Sequence, residues 1–307
     1  MTTRRSFIKQ SSAAAMAALL LKENAGASVF GSRKDITAGV QLFTFFGIID
    51  QDVPGTLKKI AGIGYKEIES AYGLKGGYYG YKPKEFASLV SSFGMSWLSQ
   101  HVLAVPFVMP AGTKMPTMPD GKPMVMPKVN NLRDNMQQII DELAEGGVKY
   151  MVCAYTPTST LAEIKTSIDI LNKSGEAAKK AGLTFAYHNH DMEFKAIDGK
   201  VPYDLLLSET DPDNVKMELD LCWVTKAGID PVDVFKKNPG RFPLWHVKDI
   251  AADRTTLLPV GEGIVPFKKI FENAGIAGMK HYFVEHDMPK DAFASITTSF
   301  NNLKKIV

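Results

Sequence analysis

The stretch AGLTFAYHNHDMEF, residues 181–194, decides how the chain is read. Ala181-Gly182 has the form of a helix end, because glycine relieves the left-handed backbone at a C-cap. A short apolar run, Phe185-Ala186-Tyr187, then carries a strand over 184–188 into His188, Asn189, His190, Asp191 and Glu193. These last side chains can bind a metal or move a proton. Whether they form an ordinary polar loop or the wall of a site depends on what else arrives there.

The same order of helix, strand and polar loop recurs along the chain. Strands are expected over 36–43, 66–70, 96–101, 150–154, 184–188, 216–221, 244–248 and 281–285. Helical periodicity lies between them, over 53–63, 84–93, 132–145, 162–181, 203–208, 231–237, 266–273 and 292–305. Alternation of this kind predicts parallel strands joined by helical crossovers. Eight units closing on themselves give an α/β fold, a single-domain (β/α)8 TIM barrel, and the length suits its typical size of about 250 residues. The rival is an open doubly wound sheet. No Gly-x-Gly-x-x-Gly fingerprint follows the first strand, which removes its main support.

The chain has 307 residues, 45% hydrophobic and 22% charged, with a formal net charge of +3. That is ordinary for a globular protein and gives no basic bias of the kind nucleic-acid binders show. Thr2-Thr3-Arg4-Arg5-Ser6-Phe7-Ile8-Lys9 matches a twin-arginine export signal, followed by a mild apolar run and the small-x-small pattern Ala25-Gly26-Ala27. Residues 1–27 are therefore expected to be a signal peptide and 28–307 the mature barrel, periplasmic or otherwise exported. No apolar run is long enough for stable membrane insertion. Cys153 and Cys222 both lie inside apolar strand-like runs, which favours two buried free thiols over a disulfide.

Two loops are long. Residues 104–130 are rich in Met and Pro, including Met109, Met115, Met118, Met124 and Met126, and residues 73–82 in Gly and Tyr. The first reads as a lid, a surface insertion or a contact with a second copy, which leaves a homo-oligomer open. The second leans towards substrate binding, because tyrosine offers a face on which a sugar can stack.

In a barrel, active-site residues sit at the C-terminal ends of the strands. Those ends carry Glu69, His101, the HNHDME run, Asp220, His246 with Lys248 and Asp249, and Glu285 with His286 and Asp287. Of the six histidines, only His281 lies elsewhere, at the start of the eighth strand. One such residue is ordinarily a hydrogen-bonded structural group or a helix cap. Carboxylates and imidazoles converging from several strands would repel one another without a cation, so one divalent metal ion is expected. Mixed oxygen and nitrogen ligands suit Mn2+, Zn2+, Co2+ or Mg2+.

The ordered motifs HNHDMEF, MELDLCWV, KAGIDP, FPLWHVKD, VGEGIVPF and FVEHD resemble the xylose isomerase-like TIM barrel superfamily, often labelled sugar phosphate isomerase/epimerase. The resemblance covers essentially the whole mature chain. It implies one metal, with Mn2+ as the leading candidate, held by Asp220, His246, Glu285 and a fourth group after strand five. Glu193 fills that place, with His188 or His190 as the alternative, because His188 stands where ketose epimerases carry Glu. Trp223 stands where those epimerases carry His.

The implied activity is that of an isomerase or epimerase that removes a proton next to the carbonyl of a sugar or keto-sugar through an enediolate. The alternative outcome is a lyase or dehydratase acting on a 3-keto-glycoside or keto-inositol. Glu285 or Glu193 is the expected base, the other of the two or His188 or His190 the group that returns the proton, and Lys248 the oxyanion stabiliser. Glu69, His101 and His190 are expected to bind hydroxyls, and Trp223, Tyr72 and Phe43 to stack on the ring. A non-catalytic sugar-binding barrel is the reading from a different class.

Overall fold

Eight short parallel strands close on themselves in the computed structural model, which describes residues 37–106 and 129–307. The expected signal peptide, 1–27, and most of the Met/Pro-rich loop lie outside the described residues. The barrel strands are β1 (Ala38–Gln41), β2 (Glu67–Ser70), β3 (Ser96–Leu103), β4 (Tyr150–Tyr155), β5 (Thr184–His188), β6 (Val215–Asp220), β7 (Leu244–Val247) and β10 (His281–Val284). Each pairs with its neighbour in sequence, and β10 closes on β1 through Ala38–Tyr282 and Val40–Val284. The single-domain (β/α)8 expectation is met. After β7 the chain adds a two-stranded antiparallel ribbon, β8 (Asp249–Ile250) with β9 (Leu257–Leu258).

The helices follow from local chemistry. In α1 (Val53–Ile63), Asp52 accepts the Gly55 N–H at the N-terminus, Pro54 sits in the first turn, and Gly64 ends the helix at φ 123°. Its buried face is Val53, Thr56, Leu57 and Ile60. Side-chain caps likewise start α3 (Leu132–Glu145) at Asn131, α4 (Leu161–Lys180) at Thr160 and α10 (Ala292–Ile306) at Asp291. The remaining crossover helices include α2 (Pro83–Ser92), α5 (Pro202–Glu209), α6 (Leu221–Lys226), α7 (Pro231–Lys237), α8 (Phe267–Glu272) and α9 (Ala274–Ala277).

The barrel interior is layered. Leu98, Val152, Ala186, Leu244 and Phe283 plug its lower part. Gly39 makes room for that plug, since a Cβ there would lie 2.5 Å from the Phe283 ring. One step towards the C-terminal ends, the interior turns polar: Gln41, Glu69, Ser99, His101, His188, Glu218 and His246 are all buried. A slip in register produces part of this change. Ile68 pairs with Trp97 but Glu69 with Ser99, so Leu98 is an extra residue on β3. Leu98 can then join the apolar plug while His101, an odd number of residues on, joins the polar layer.

Candidate active site

Two groups of potential metal donors meet at His246. Donor atoms of Asp220, His246 and Glu285 lie within 4.8 Å of one another, as do those of His101, His188, Glu218 and His246. His246 Nδ1 is 2.9 Å from Glu285 Oε2 on one side. On the other, its Nε2 is 2.6 Å from Glu69 Oε1 and 3.2 Å from Glu218 Oε2. Glu218 Oε2 also meets His101 Nε2 at 2.8 Å and His188 Nδ1 at 3.1 Å. Lys248 Nζ stands among three carboxylates: Glu285 at 2.5 Å, Asp287 at 3.0 Å and Asp220 at 3.4 Å.

Backbone design places these groups. Glu218 and Asp220 share one face of β6, and His246 on β7 and Lys248, one residue past its end, follow the same two-residue spacing, because strand side chains alternate with period two. Asp220 also caps α6, accepting the Trp223 N–H at 2.9 Å. The Asp220 N–H donates to Asn189 Oδ1 at 3.1 Å, which ties the end of β6 to the loop after β5.

Burial alone would neutralise the acids, yet the arrangement pairs most of them. Burial works to raise Glu69, but the His101 and His246 imidazoles hold it well below the usual carboxylate range. Burial again opposes ionisation of Glu285, and the Lys248 charge followed by His246 keeps it far below that range. Burial and then the Glu69 charge push Glu218 up to about 7. Burial and the neighbouring cations hold His188 neutral, well below the usual imidazole value. His101 is raised to about 9, because Glu69 and Glu218 outweigh its burial. Burial raises Asp220 and Asp287, with Lys248 opposing in each case.

Above the polar layer lies a pocket of about 160 Å3, lined by Phe43, Tyr72, His101, His188, His190, Lys248, Glu285 and Asp287 among others. It opens at the C-terminal ends of the strands. Phe43, Phe46 and Tyr72 form an aromatic wall, with ring centroids 5.3–5.9 Å apart. Trp223 lies outside the lining, with Lys248 Nζ 4.8 Å from its ring.

The sequence-predicted residues thus divide. Asp220, His246, Glu285 and Lys248 come together, and His188, His190, His101, Phe43 and Tyr72 line the space above them. Glu69 is fully buried beneath the pocket, on His246. The Glu193 carboxylate belongs to neither donor group. It takes the Tyr187 hydroxyl at 2.5 Å and the His190 N–H at 3.1 Å, so it braces the turn that presents His190. His281 meets Glu67 at 2.9 Å at the opposite end of the barrel. His286 turns to Ser295, at 2.8 Å. Tyr78 and Tyr79 of the Gly/Tyr loop pack on Phe86, and Tyr78 also on Trp97.

Sequence reasoning missed Glu218, although its two-residue spacing from Asp220 put it on the same inward face. Asp287 was noted at the strand end but given no role. Its carboxylate accepts from Lys248 Nζ at 3.0 Å, and the next residue, Met288, has φ 45°.

The donor chemistry fits a divalent cation. Asp220, His246 and Glu285 supply two carboxylates and one imidazole, all buried. Asp220 Oδ2 accepts no hydrogen bond among the described residues and lies 3.4 Å from the Lys248 ammonium, which leaves an acceptor open to an ion. No helix among the described residues is long and apolar enough to cross a membrane.

Residues 57–305 match the family described as "Xylose isomerase-like TIM barrel". An inosose dehydratase from Geobacillus thermodenitrificans is 28% identical over 145 residues, 42% of this chain and 48% of that protein. The chain spans about half the length of the curated relatives it matches. A sugar phosphate isomerase/epimerase crystal structure from Parabacteroides distasonis superposes with a TM-score of 0.70 at 26% identity, covering 91% of this chain and 97% of that one. The IOLI protein, solved with a zinc atom, has the same fold, with a TM-score of 0.63 at 16% identity over 89% of this chain and 98% of that one.

Proposed function

The chain belongs to the xylose isomerase-like TIM barrel family, and we propose that it is a divalent-metal-dependent enzyme removing a proton next to the carbonyl of a sugar or keto-sugar. The observation that carries this reading is the position of Glu285. It lines the pocket while its carboxylate touches both His246 and Lys248.

Asp220, His246 and Glu285 would hold the ion, and a bound divalent cation, Mn2+ before Zn2+, Co2+ or Mg2+, supplies Lewis-acid polarisation of the substrate carbonyl. Glu285, ionised beside Lys248, takes the proton from the adjacent carbon. The Lys248 ammonium, fixed by three carboxylates, steadies the negative charge that develops on oxygen. His188 lines the pocket with its Nδ1 3.1 Å from Glu218, whose carboxyl is pushed up to about 7, so the pair can pass a proton to or from the enediolate. Phe43 and Tyr72 offer apolar faces to the sugar ring and keep water from one side of it.

The enediolate has two exits. Reprotonation gives isomerisation or epimerisation, and loss of a β-leaving group gives elimination. The likeness to inosose dehydratases supports the second exit. So does Trp223, which stands where ketose epimerases carry histidine. His190 and Asp287 are the pocket groups that would hand a proton to a leaving group, and burial keeps Asp287 more readily protonated than usual. The twin-arginine start supports work outside the cytoplasm, on keto-sugars or keto-glycosides rather than sugar phosphates.

The test is incubation of the protein with Mn2+ and a panel of keto-sugars, 3-keto-glycosides and keto-inositols in D2O. Solvent deuterium should enter the carbon next to the carbonyl, and the products would name the exit. Absence of both label and product throughout the panel overturns the reading.

A further inference from the structure

Glu69 has a part in the site that its burial alone does not suggest. No face of it reaches the pocket. Its carboxylate collects the Gln41 amide at 2.8 Å, His246 Nε2 at 2.6 Å, His101 Nε2 at 3.1 Å and the Ser99 hydroxyl. Gln41 is itself fixed, because its oxygen accepts the Phe43 N–H at 3.0 Å. That leaves its NH2 group as the end facing Glu69. The glutamate is therefore anchored from two sides before it meets the imidazole.

A neutral imidazole carries one N–H, and the partner of one nitrogen decides what the other offers. Both acceptors near His246 Nε2, on Glu69 and Glu218, are carboxylate oxygens. Its Nδ1 also meets a carboxylate, Glu285 Oε2 at 2.9 Å, but on the side of Asp220, where a bound cation would take the place of that hydrogen. We infer that Glu69 is a positioning residue: it holds His246 with the hydrogen on Nε2, so that Nδ1 is the bare nitrogen offered to a divalent cation beside Asp220 and Glu285. A carboxylate behind a metal-binding histidine fixes ring orientation and raises ligand basicity. The chain Phe43–Gln41–Glu69–His246 thereby links the aromatic wall of the pocket to the proposed ion site through hydrogen bonds. This inference rests on the metal reading above.

The test measures Zn2+ and Mn2+ affinity by chelator competition in the wild type, Glu69→Gln and Glu69→Ala, with long-range 15N NMR of the histidines in the Zn2+-loaded wild type. Glu69→Ala should bind the ion about 10–100-fold more weakly. Glu69→Gln keeps an acceptor oxygen but loses the charge, and should fall between it and the wild type. The spectrum should show His246 protonated at Nε2 and bound through Nδ1. Wild-type affinity in both folded variants, or a His246 bound through Nε2, overturns the inference. If Glu69→Ala does not fold, Glu69→Gln and the wild-type spectrum still decide. A wild type that binds no ion fails at the earlier step, bringing down the metal reading and this inference with it.

Discussion

Lys248 Nζ lies 2.5 Å from Glu285 Oε2, so the proposed base and the proposed oxyanion stabiliser are bound to each other at the pocket floor. The lysine is 2% exposed and also serves Asp220 and Asp287. A cation so enclosed balances charge that a metal would otherwise have to balance alone.

Replacing it should therefore expose that debt of charge. Lys248→Met leaves three neighbouring carboxylates without their ammonium, and removing one partner of a buried pair costs about 3–5 kcal/mol. Part of the loss should return on adding Mn2+. Denaturant melts of the variant with and without the ion check this; an equal loss in both conditions would show that no cation site adjoins the lysine.

Glu285→Gln separates an enzyme from a sugar-binding barrel. Losing a positioned general base should lower turnover by about 10²–10⁴-fold. A barrel that only binds sugar would keep most of its affinity. Turnover and ligand calorimetry on the same preparation distinguish the two outcomes.

The loop after β9 depends on one buried carboxylate. Asp249 accepts N–H groups from Ile250 and Val265 on one oxygen, and from Gly261 and Gly263 on the other, at 2.9–3.1 Å. Gly263 is required for the approach, since a Cβ there would fall 2.3 Å from Asp249 Oδ1. Asp249→Ala strands these donors and should destabilise the fold by at least about 3 kcal/mol. Glu262→Ala, at an exposed position between the two glycines, should cost under about 0.5 kcal/mol. Chemical denaturation of both variants compares them directly.

The two thiols should be silent in the native protein. Cys153 and Cys222 are free and fully buried, and burial pushes Cys153 up to about 12 and Cys222 higher still. A disulfide-exchange reagent at neutral pH should titrate two thiols only after unfolding. Rapid reaction of the native protein would contradict the packing of β4 and α6.

Much of this was legible because a barrel repeats itself. Strand β5 matches its expected bounds of 184–188, and α1, α3 and α7 match theirs, since glycine ends, caps and apolar periodicity agree locally. Features set by contacts between strands were not legible. The extra residue at Leu98 shows only when β2 is beside β3. Strand β1 stops at Gln41, short of the expected 43, because the chain turns there and Gln41 accepts the Phe43 N–H. The motif HNHDME offered several donors in a row, and local order cannot say which points inward. Glu193 is drawn aside by Tyr187, a residue whose hydroxyl looks like core in the sequence.

The measurement closest to the central claim is anomalous diffraction from Mn2+-soaked crystals of the protein. We expect one peak within bonding distance of a carboxylate oxygen of Asp220, Nδ1 of His246 and a carboxylate oxygen of Glu285 together. A peak seated instead between His101, His188 and Glu218, or no peak at saturating Mn2+, would contradict the account.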